Sequence, residues 1–389
     1  MSNPFTFGTS VKEVRNKYAK IGFSRNPFTP RDEDDNDGPF YQGHLSTEIS
    51  TINKWLQESI NDNPPALSIK GSIGVGKTRL MKAVRNQILS AASQERVHAG
   101  LIPLGQSGYA RPSIGQLMLD TLETYVPAWM PSHQIWKPGI IPLVKLIVES
   151  EQSISRSLPL GQVLGSIRDS PKDTQEEKMR LFCRWIHREQ LTPKQSEQVG
   201  LYHRLDYEGA LPGVLCDLLI LAKEAGVLNK LYLMIDQLED LFRPSYSELR
   251  QSRLVTDMRL IIDKQDAGAP LGLIFAWSPD VDQLGYSSRN AVDHNMQQKY
   301  SALYSRLTRS LVNIGKLREL HIAAFAEAYT EPFKEQSGND TSKWPAAVEI
   351  AGDAWSILKN KGVVQDNTVT PRDLLTALYE AVEARTDTP

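Results

Sequence analysis

The 389-residue chain predicts an α/β fold: a parallel sheet flanked by helices, with a large helical insertion and a small C-terminal α-helical lid. Three observations lead there. Gly71-Ser72-Ile73-Gly74-Val75-Gly76-Lys77-Thr78 fits G-x-x-x-x-G-K-[ST] and lies between a short apolar run and an amphipathic helical pattern. Two nearly continuous apolar runs, Leu231–Asp236 and Leu271–Trp277, read as strands buried on both faces, with a helix between them. From about Ile322 onward the periodicity is helical only.

Taken in order, residues 1–40 read as an arm, with helical spacing over Val11–Ile21 and an acidic run, Asp32–Gly38, expected as a solvated loop. Residues 41–321 read as the core. It opens with a helix over Ser46–Ile60, whose Ile49, Ile52, Trp55 and Leu56 share one face. Pro64-Pro65 punctuates the entry to the strand Ala66–Ile69, the glycine-rich loop follows, and Thr78 opens a helix marked by Leu80, Val84, Ile88 and Ala91. Val97–Leu104 reads as the second strand. The span from there to Leu231 is far longer than a crossover needs, so residues 105–225 are expected as a helical insertion. Its helical patterns cover Ile114–Tyr125, Ile140–Ser155, Thr174–Glu189 and Leu211–Ala225. A helix over Ser247–Gln265 separates the two buried strands, and a short strand is expected near Leu317–Leu320. Residues 322–389 form the lid, with helices over Ala323–Phe333, Trp344–Lys359 and Pro371–Ala384.

Composition narrows the function classes. Apolar residues make up 40% and charged residues 23%, and a formal net charge of −2 supplies no global positive field toward nucleic acid. Cys183 and Cys216 lack metal-ligand spacing and point to reduced thiols in a cytoplasmic protein. No apolar run approaches the roughly 18 residues of a membrane span, and the first residues lack the basic and apolar pattern of a signal peptide.

The glycine-rich loop carries the chemistry. Its glycines let backbone amides wrap phosphates at a helix N-terminus, so Gly71, Gly74, Val75, Gly76, Lys77, Thr78 and Arg79 are the expected nucleotide contacts. Lys77 would reach the β/γ-phosphates, and Thr78 would hold Mg²⁺. Asp236, at a strand's carboxyl end, is the expected second metal-holding group. Attack of water on the γ-phosphate needs a base or an orienting group; Glu239 ranks first and Gln237 second, and a plain first-turn carboxylate is the alternative for Glu239. Ser278 ends the neighbouring strand, where its hydroxyl meets the γ-phosphate or simply starts a Ser-Pro turn. Arg306 and Arg309 share a helical face and read either as a solvated basic face or as an arginine supplied across a subunit boundary. Arg372, in the first turn of the last helix behind the cap Thr370, is the remaining phosphate candidate. No guanine-reading N-K-x-D follows, so ATP is expected over GTP.

Together these pieces resemble an AAA+ ATPase of the branch shared by origin-recognition initiators, transposition ATPases and STAND-type switch proteins, over roughly residues 22–385. Asn26-Pro27-Phe28 followed by Phe40-Tyr41-Gln42-Gly43-His44 resembles the N-P-F and F-x-G-R segment that opens around adenine, with His44 replacing the arginine. By this resemblance Lys77, Thr78 and Asp236 match Walker A and B, Ser278 is sensor 1, Arg306 or Arg309 is the arginine finger, and Thr370–Leu375 resembles the sensor-2 helix. Most AAA+ proteins carry Glu directly after the Walker B Asp. Here Gln237 stands there, and Asp236–Phe242 resembles the D-Q-x-E-E-L-F of some STAND-type NTPases, which implies slow hydrolysis. Arg184–Thr192 with Gly200-Leu201 and Leu205-Asp206 is similar to the W-L-x-G-E-x-L-T, L-G-L and I-D segments of ATP-binding domains in phage-defence systems such as BREX. These resemblances imply an ATP- and Mg²⁺-dependent homo-oligomer that controls a protein effector such as a nuclease. A DNA-loading ATPase and a nucleotide-held scaffold with negligible hydrolysis are the alternatives.

Overall fold

Continuous aliphatic runs, rather than alternating ones, build the sheet, because both of its faces are covered. The computed structural model describes residues 18, 26–28, 41–104, 113–127, 138–152, 154–201, 203–205, 209–242, 247–279, 291–337 and 346–387. The expected arm helix, apart from Tyr18, and the acidic run at 32–38 lie outside them. By internal packing the chain divides into two units, residues 45–315 and residues 1–44 with 316–389.

The larger unit opens with α1 (Ser46–Asn61), β1 (Leu67–Lys70), α2 (Lys77–Ser90), the single turn α3 (Ala92–Glu95) and β2 (Val97–Pro103). Among the described residues six insertion helices follow: α4 (Ile114–Glu123), α5 (Ile140–Glu149), α6 (Pro159–Arg168), α7 (Lys172–Ile186), α8 (Pro193–Val199) and α9 (Ala210–Glu224). The chain returns through β3 (Lys230–Asp236), a 3₁₀ turn (Leu238–Phe242), α10 (Glu248–Asp266), β4 (Leu271–Trp277), α11 (Ala291–Lys299), α12 (Ser301–Leu307) and β5 (Ser310–Asn313). The five strands are parallel, in the order β2-β3-β4-β1-β5. β4 therefore lies between the glycine-loop strand and β3, and the carboxyl ends of β1, β4 and β3 stand side by side.

Every residue of β3 and β4 is buried. Leu231, Leu233 and Ile235 join Leu273, Phe275 and Trp277 in one continuous core with α4, α9 and α10, so the insertion packs onto the sheet. This is the α/β fold with a helical insertion that the sequence predicts. Two insertion helices, α6 and α8, escape the periodicity; both are short and begin with proline at the first helical position. The fifth parallel strand, Ser310–Asn313, goes unmarked in the sequence, while the short strand expected near Leu317–Leu320 is present as Leu317–Arg318 in a separate antiparallel pair. Four residues of mixed polarity give no strand period to read.

The smaller unit pairs β6 (Leu317–Arg318) antiparallel with β7 (Thr368–Val369) beside α13 (Ile322–Ser337), α14 (Ala347–Asn360) and α15 (Pro371–Asp387). Phe28 is fully buried in its core, with Phe325, Ile350, Trp355, Leu374 and Leu378. The Asn26 side chain fixes that anchor: Oδ1 accepts from the Phe28 amide at 3.0 Å, and Nδ2 donates to the Tyr379 carbonyl at 3.2 Å and to Glu383 at 3.0 Å. His44 stacks on Tyr41 with ring centroids 5.7 Å apart. Burial and the neighbouring His321 push its pKa down to about 4, so it is a neutral ring where the resembling segment carries an arginine.

Candidate nucleotide-binding site

The glycine-rich loop is shaped by two different demands. A Cβ at Gly71 would lie 2.7 Å from the Ile314 carbonyl oxygen, so that position is closed to any larger residue. Gly76 has the opposite reason: nothing lies within 4 Å, but its φ of +97° is a left-handed conformation that only glycine adopts without strain. That turn hands the chain to α2, whose first residue is Lys77 and whose amino end supplies orphan amides and a favourable dipole for phosphate. Val75, nearly fully buried, pins the middle of the loop.

Lys77 is itself buried, and its Nζ donates to the Gly71 carbonyl at 2.9 Å, the Ser72 carbonyl at 3.1 Å and Ser278 Oγ at 2.6 Å. Thr78 Oγ1 donates to Asp236 Oδ2 at 2.6 Å, while Asp236 Oδ1 accepts from the Gln237 amide at 2.9 Å. Glu239 Oε2 accepts from the Ser278 amide at 3.0 Å. Five predicted residues, Lys77, Thr78, Asp236, Glu239 and Ser278, thus converge at the carboxyl ends of β1, β4 and β3. Ser278 joins them, accepting from Lys77 with its hydroxyl and donating to Glu239 with its amide.

Burial pushes the Glu239 carboxyl above the usual carboxylate range; the Lys77 ammonium and hydrogen bonds from its own and the Ser278 amides pull the other way. Gln237 has φ +59°, so it is the residue that turns the chain after β3. Thr78 and Asp236 offer a pair of hard oxygen donors in contact, which suits a divalent cation held partly through water.

Of the remaining candidates, Arg306 and Arg309 stand apart from this cluster. Arg79 is the third residue of α2. Arg306 donates to Asp263 at 2.8 Å and Arg309 to Asp266 at 2.9 Å. Those carboxylates end α10, and Arg309 immediately precedes β5, so both arginines lie at the strand-entry end of the sheet. They do not share a helix: α12 stops at Leu307, and the capping residue Thr308 bonds back to the Tyr304 carbonyl at 3.0 Å. Arg372 is the second residue of α15 in the smaller unit, where the Asp373 amide donates to the cap Thr370 at 3.1 Å. Cys183 and Cys216 are free and buried, and burial pushes both thiols up to about 12, which leaves them inert.

Two site features escape sequence reasoning. One is Asp293, which accepts from Trp277 Nε1 at 2.9 Å and pairs with Lys70. The other is the left-handed turn at Gln237. The segment Arg184–Thr192 resolves into punctuation: α7 ends, Arg188 adopts φ +62°, and Thr192 forms a capping box with Gln195 at the start of α8.

No protein-family model matches the chain, and no curated protein sequence is similar to it. Among solved structures, the chain is similar to the Aeropyrum pernix ORC2 protein in its ADPNP-ADP complexes, at 15% identity over 92% of this chain and 71% of that one, with a TM-score of 0.41. For the ADP form of the same protein the values are 14%, 92%, 71% and 0.39. An E. coli MS115-1 HORMA:CdnC:Trip13 complex is similar at 11% identity over 89% of each chain, with a TM-score of 0.33. No helix among the described residues is long and apolar enough to cross a membrane.

Proposed function

We propose that this protein is an ATPase of AAA+ type that binds ATP at the glycine-rich loop and hydrolyses it with Glu239 as general base. The observation that carries the reading is the convergence of Lys77, Thr78, Asp236, Glu239 and Ser278 at three adjacent strand ends, through three hydrogen bonds of 2.6–3.0 Å. Loop amides from Gly71 to Thr78 would wrap the phosphates, with Lys77 turned from its carbonyl acceptors toward the β/γ oxygens. Thr78 directly, and Asp236 through water, would hold a Mg²⁺ ion, which neutralises charge on the β- and γ-phosphates when bound. Glu239 would take a proton from the attacking water as that oxygen bonds the γ-phosphorus and the bond to the β–γ bridging oxygen breaks, leaving ADP and phosphate. Ser278 aligns this carboxylate against Lys77. Gln237 is the turn residue, and in this reading Glu239 and not the Gln237 side chain handles the water.

Arg306 and Arg309, at the opposite end of the sheet from the loop, suit a finger offered to a neighbouring subunit, so the reading includes homo-oligomers with shared sites. Residues 184–206 carry the likeness to phage-defence proteins. Within them Arg184–Thr192 ends α7 and caps α8, Asp206 lies outside the described residues, and the segment adds no effector chemistry to this reading. The test is ATP turnover by the full chain over a range of protein concentrations, with and without double-stranded DNA, against Lys77→Ala. Turnover per subunit that climbs with concentration supports shared sites. Turnover equal to that of Lys77→Ala overturns hydrolysis, and a rise with DNA adds nucleic acid as a partner.

A further inference from the structure

Three residues that the proposed chemistry does not use form a largely buried clamp directly behind it, with Lys70 partly exposed. Lys70 is the last residue of β1, one before Gly71; Trp277 is the last of β4, one before Ser278. The two are register partners across the β1–β4 ladder, so their side chains share a face of the sheet. Over that face lies α11, and its Asp293, 9% exposed, binds both: Oδ2 pairs with Lys70 Nζ, and Oδ1 accepts from Trp277 Nε1 at 2.9 Å. Trp277 is fully buried, and the strand ends are tied further by the Gly71 amide donating to the Trp277 carbonyl at 3.3 Å. The same helix packs on the 3₁₀ turn that carries Glu239.

We infer that Asp293 is a positioning residue of the nucleotide site: its carboxylate locks the exits of β1 and β4 together and so sets Lys77 between Gly71 and Ser278. This rests on the ATPase reading above. The physical ground is that Lys77 takes two of its acceptors from residues next to the clamped ones, the Gly71 carbonyl and Ser278 Oγ. A partly buried ammonium at Lys70 that loses its counter-charge must move or draw in water. Either response shifts the strand ends, and a displacement of about 1 Å at a reacting group costs on the order of 100-fold in rate. A packing role alone would lower stability without touching the rate of the folded fraction.

The experiment uses the full chain as wild type, Lys77→Ala, Asp293→Asn, Lys70→Met and the Lys70→Met/Asp293→Asn double variant. Three readouts are taken: binding of a fluorescent ATP analogue, turnover per binding-competent site, and hydrogen exchange of peptides spanning 68–80 and 275–279 without nucleotide. Asp293→Asn is expected to lower turnover per competent site about 10-fold or more and to speed exchange at both strand ends. The double variant is expected to be no worse than Asp293→Asn, because the unpaired Lys70 charge is gone. Unchanged exchange, or a lowered thermal midpoint with unchanged turnover per competent site, overturns the clamp. Failure of the wild type to bind nucleotide would overturn the ATPase reading instead, and the exchange data would still decide the clamp.

Discussion

Replacing Gln237 by glycine should leave ATP turnover intact and stabilise the fold, whereas Glu239→Gln should remove turnover. Gln237 holds φ +59°, a conformation that costs a non-glycine residue about 1–2 kcal/mol. Glycine gives back about 0.4–1 kcal/mol through the freer unfolded chain. The bond that defines the turn, from the residue 237 amide to Asp236 Oδ1, belongs to the backbone and survives the change. A net gain of about 1 kcal/mol corresponds to about 2–4 °C in Tm for a unit of this size. Glu239→Gln keeps an oxygen to accept from the Ser278 amide but no longer takes a proton, so turnover should fall by about 10²–10⁴-fold. It should also stabilise at neutral pH. Burial raises the carboxyl's pKa in the folded state, so its contribution is fully present below the unfolded pKa and is lost as pH rises through the folded one. The amide removes that loss. For the same reason the acid limb of the wild-type rate profile should lie above that of an ordinary carboxylate. The assay is steady-state turnover paired with thermal unfolding for each variant. A folded, ATP-binding Gln237→Gly protein without turnover would show that the Gln237 amide orients water, and the assignment of Glu239 would fail.

Three further outcomes follow from buried or paired charges. Lys230 donates to the Asn63 side chain at 3.0 Å and to the carbonyls of Ser59 and Asp62, and burial pushes its amine from 10.5 down to about 8. The unfolded chain holds that proton between the two values, so stability should rise as pH increases from about 8 to about 10, and denaturant titrations of Lys230→Met should lack that rise. Asn26→Ala should destabilise the smaller unit by about 2–3 kcal/mol, from three lost hydrogen bonds, and Phe28→Ala by about 3–5 kcal/mol; limited proteolysis and thermal unfolding read both. The Arg306–Asp263 and Arg309–Asp266 pairs are partly exposed and worth about 0–1 kcal/mol each. Arg306→Ala should then barely change Tm yet lose turnover, and mixing it with Lys77→Ala should restore some. No recovery on mixing would refute sites shared through Arg306.

Legibility followed pattern strength. β3 and β4 were readable because burial on both faces leaves unbroken apolar runs, and the loop was readable because phosphate cradling demands glycine at fixed places. Asp236 and Thr78 could be paired before any coordinates, since both chemistries meet at strand ends. β5 was not readable, because four residues hold no period. Asn26-Pro27-Phe28 reads as a nucleotide segment; what the sequence could not show is that Phe28 enters the core of the smaller unit and Asn26 bonds Glu383, 357 positions along the chain. Asp293 gives no local signal at all: its partners, Lys70 and Trp277, are distant in sequence and meet only through the sheet register.

Two departures from the motifs this chain resembles fall at positive φ, and backbone geometry accounts for both. Arg188 stands where the phage-defence segment has glycine and still adopts φ +62°, so the helix stop is kept at a modest strain cost. Gln237 stands where most AAA+ proteins have glutamate, and its φ of +59° swings the chain so that a carboxylate two residues later reaches the site. On the ATPase reading proposed above, Glu239 takes the place of that glutamate. Glu239 is buried where burial penalises its charge, offset in part by the Lys77 ammonium and by the Ser278 amide at 3.0 Å. A raised carboxyl pKa is what a general base working near neutral pH requires. Lost turnover with kept ATP binding in Glu239→Gln would therefore mark hydrolysis, whereas unchanged turnover would leave Glu239 as an acceptor for the Ser278 amide alone.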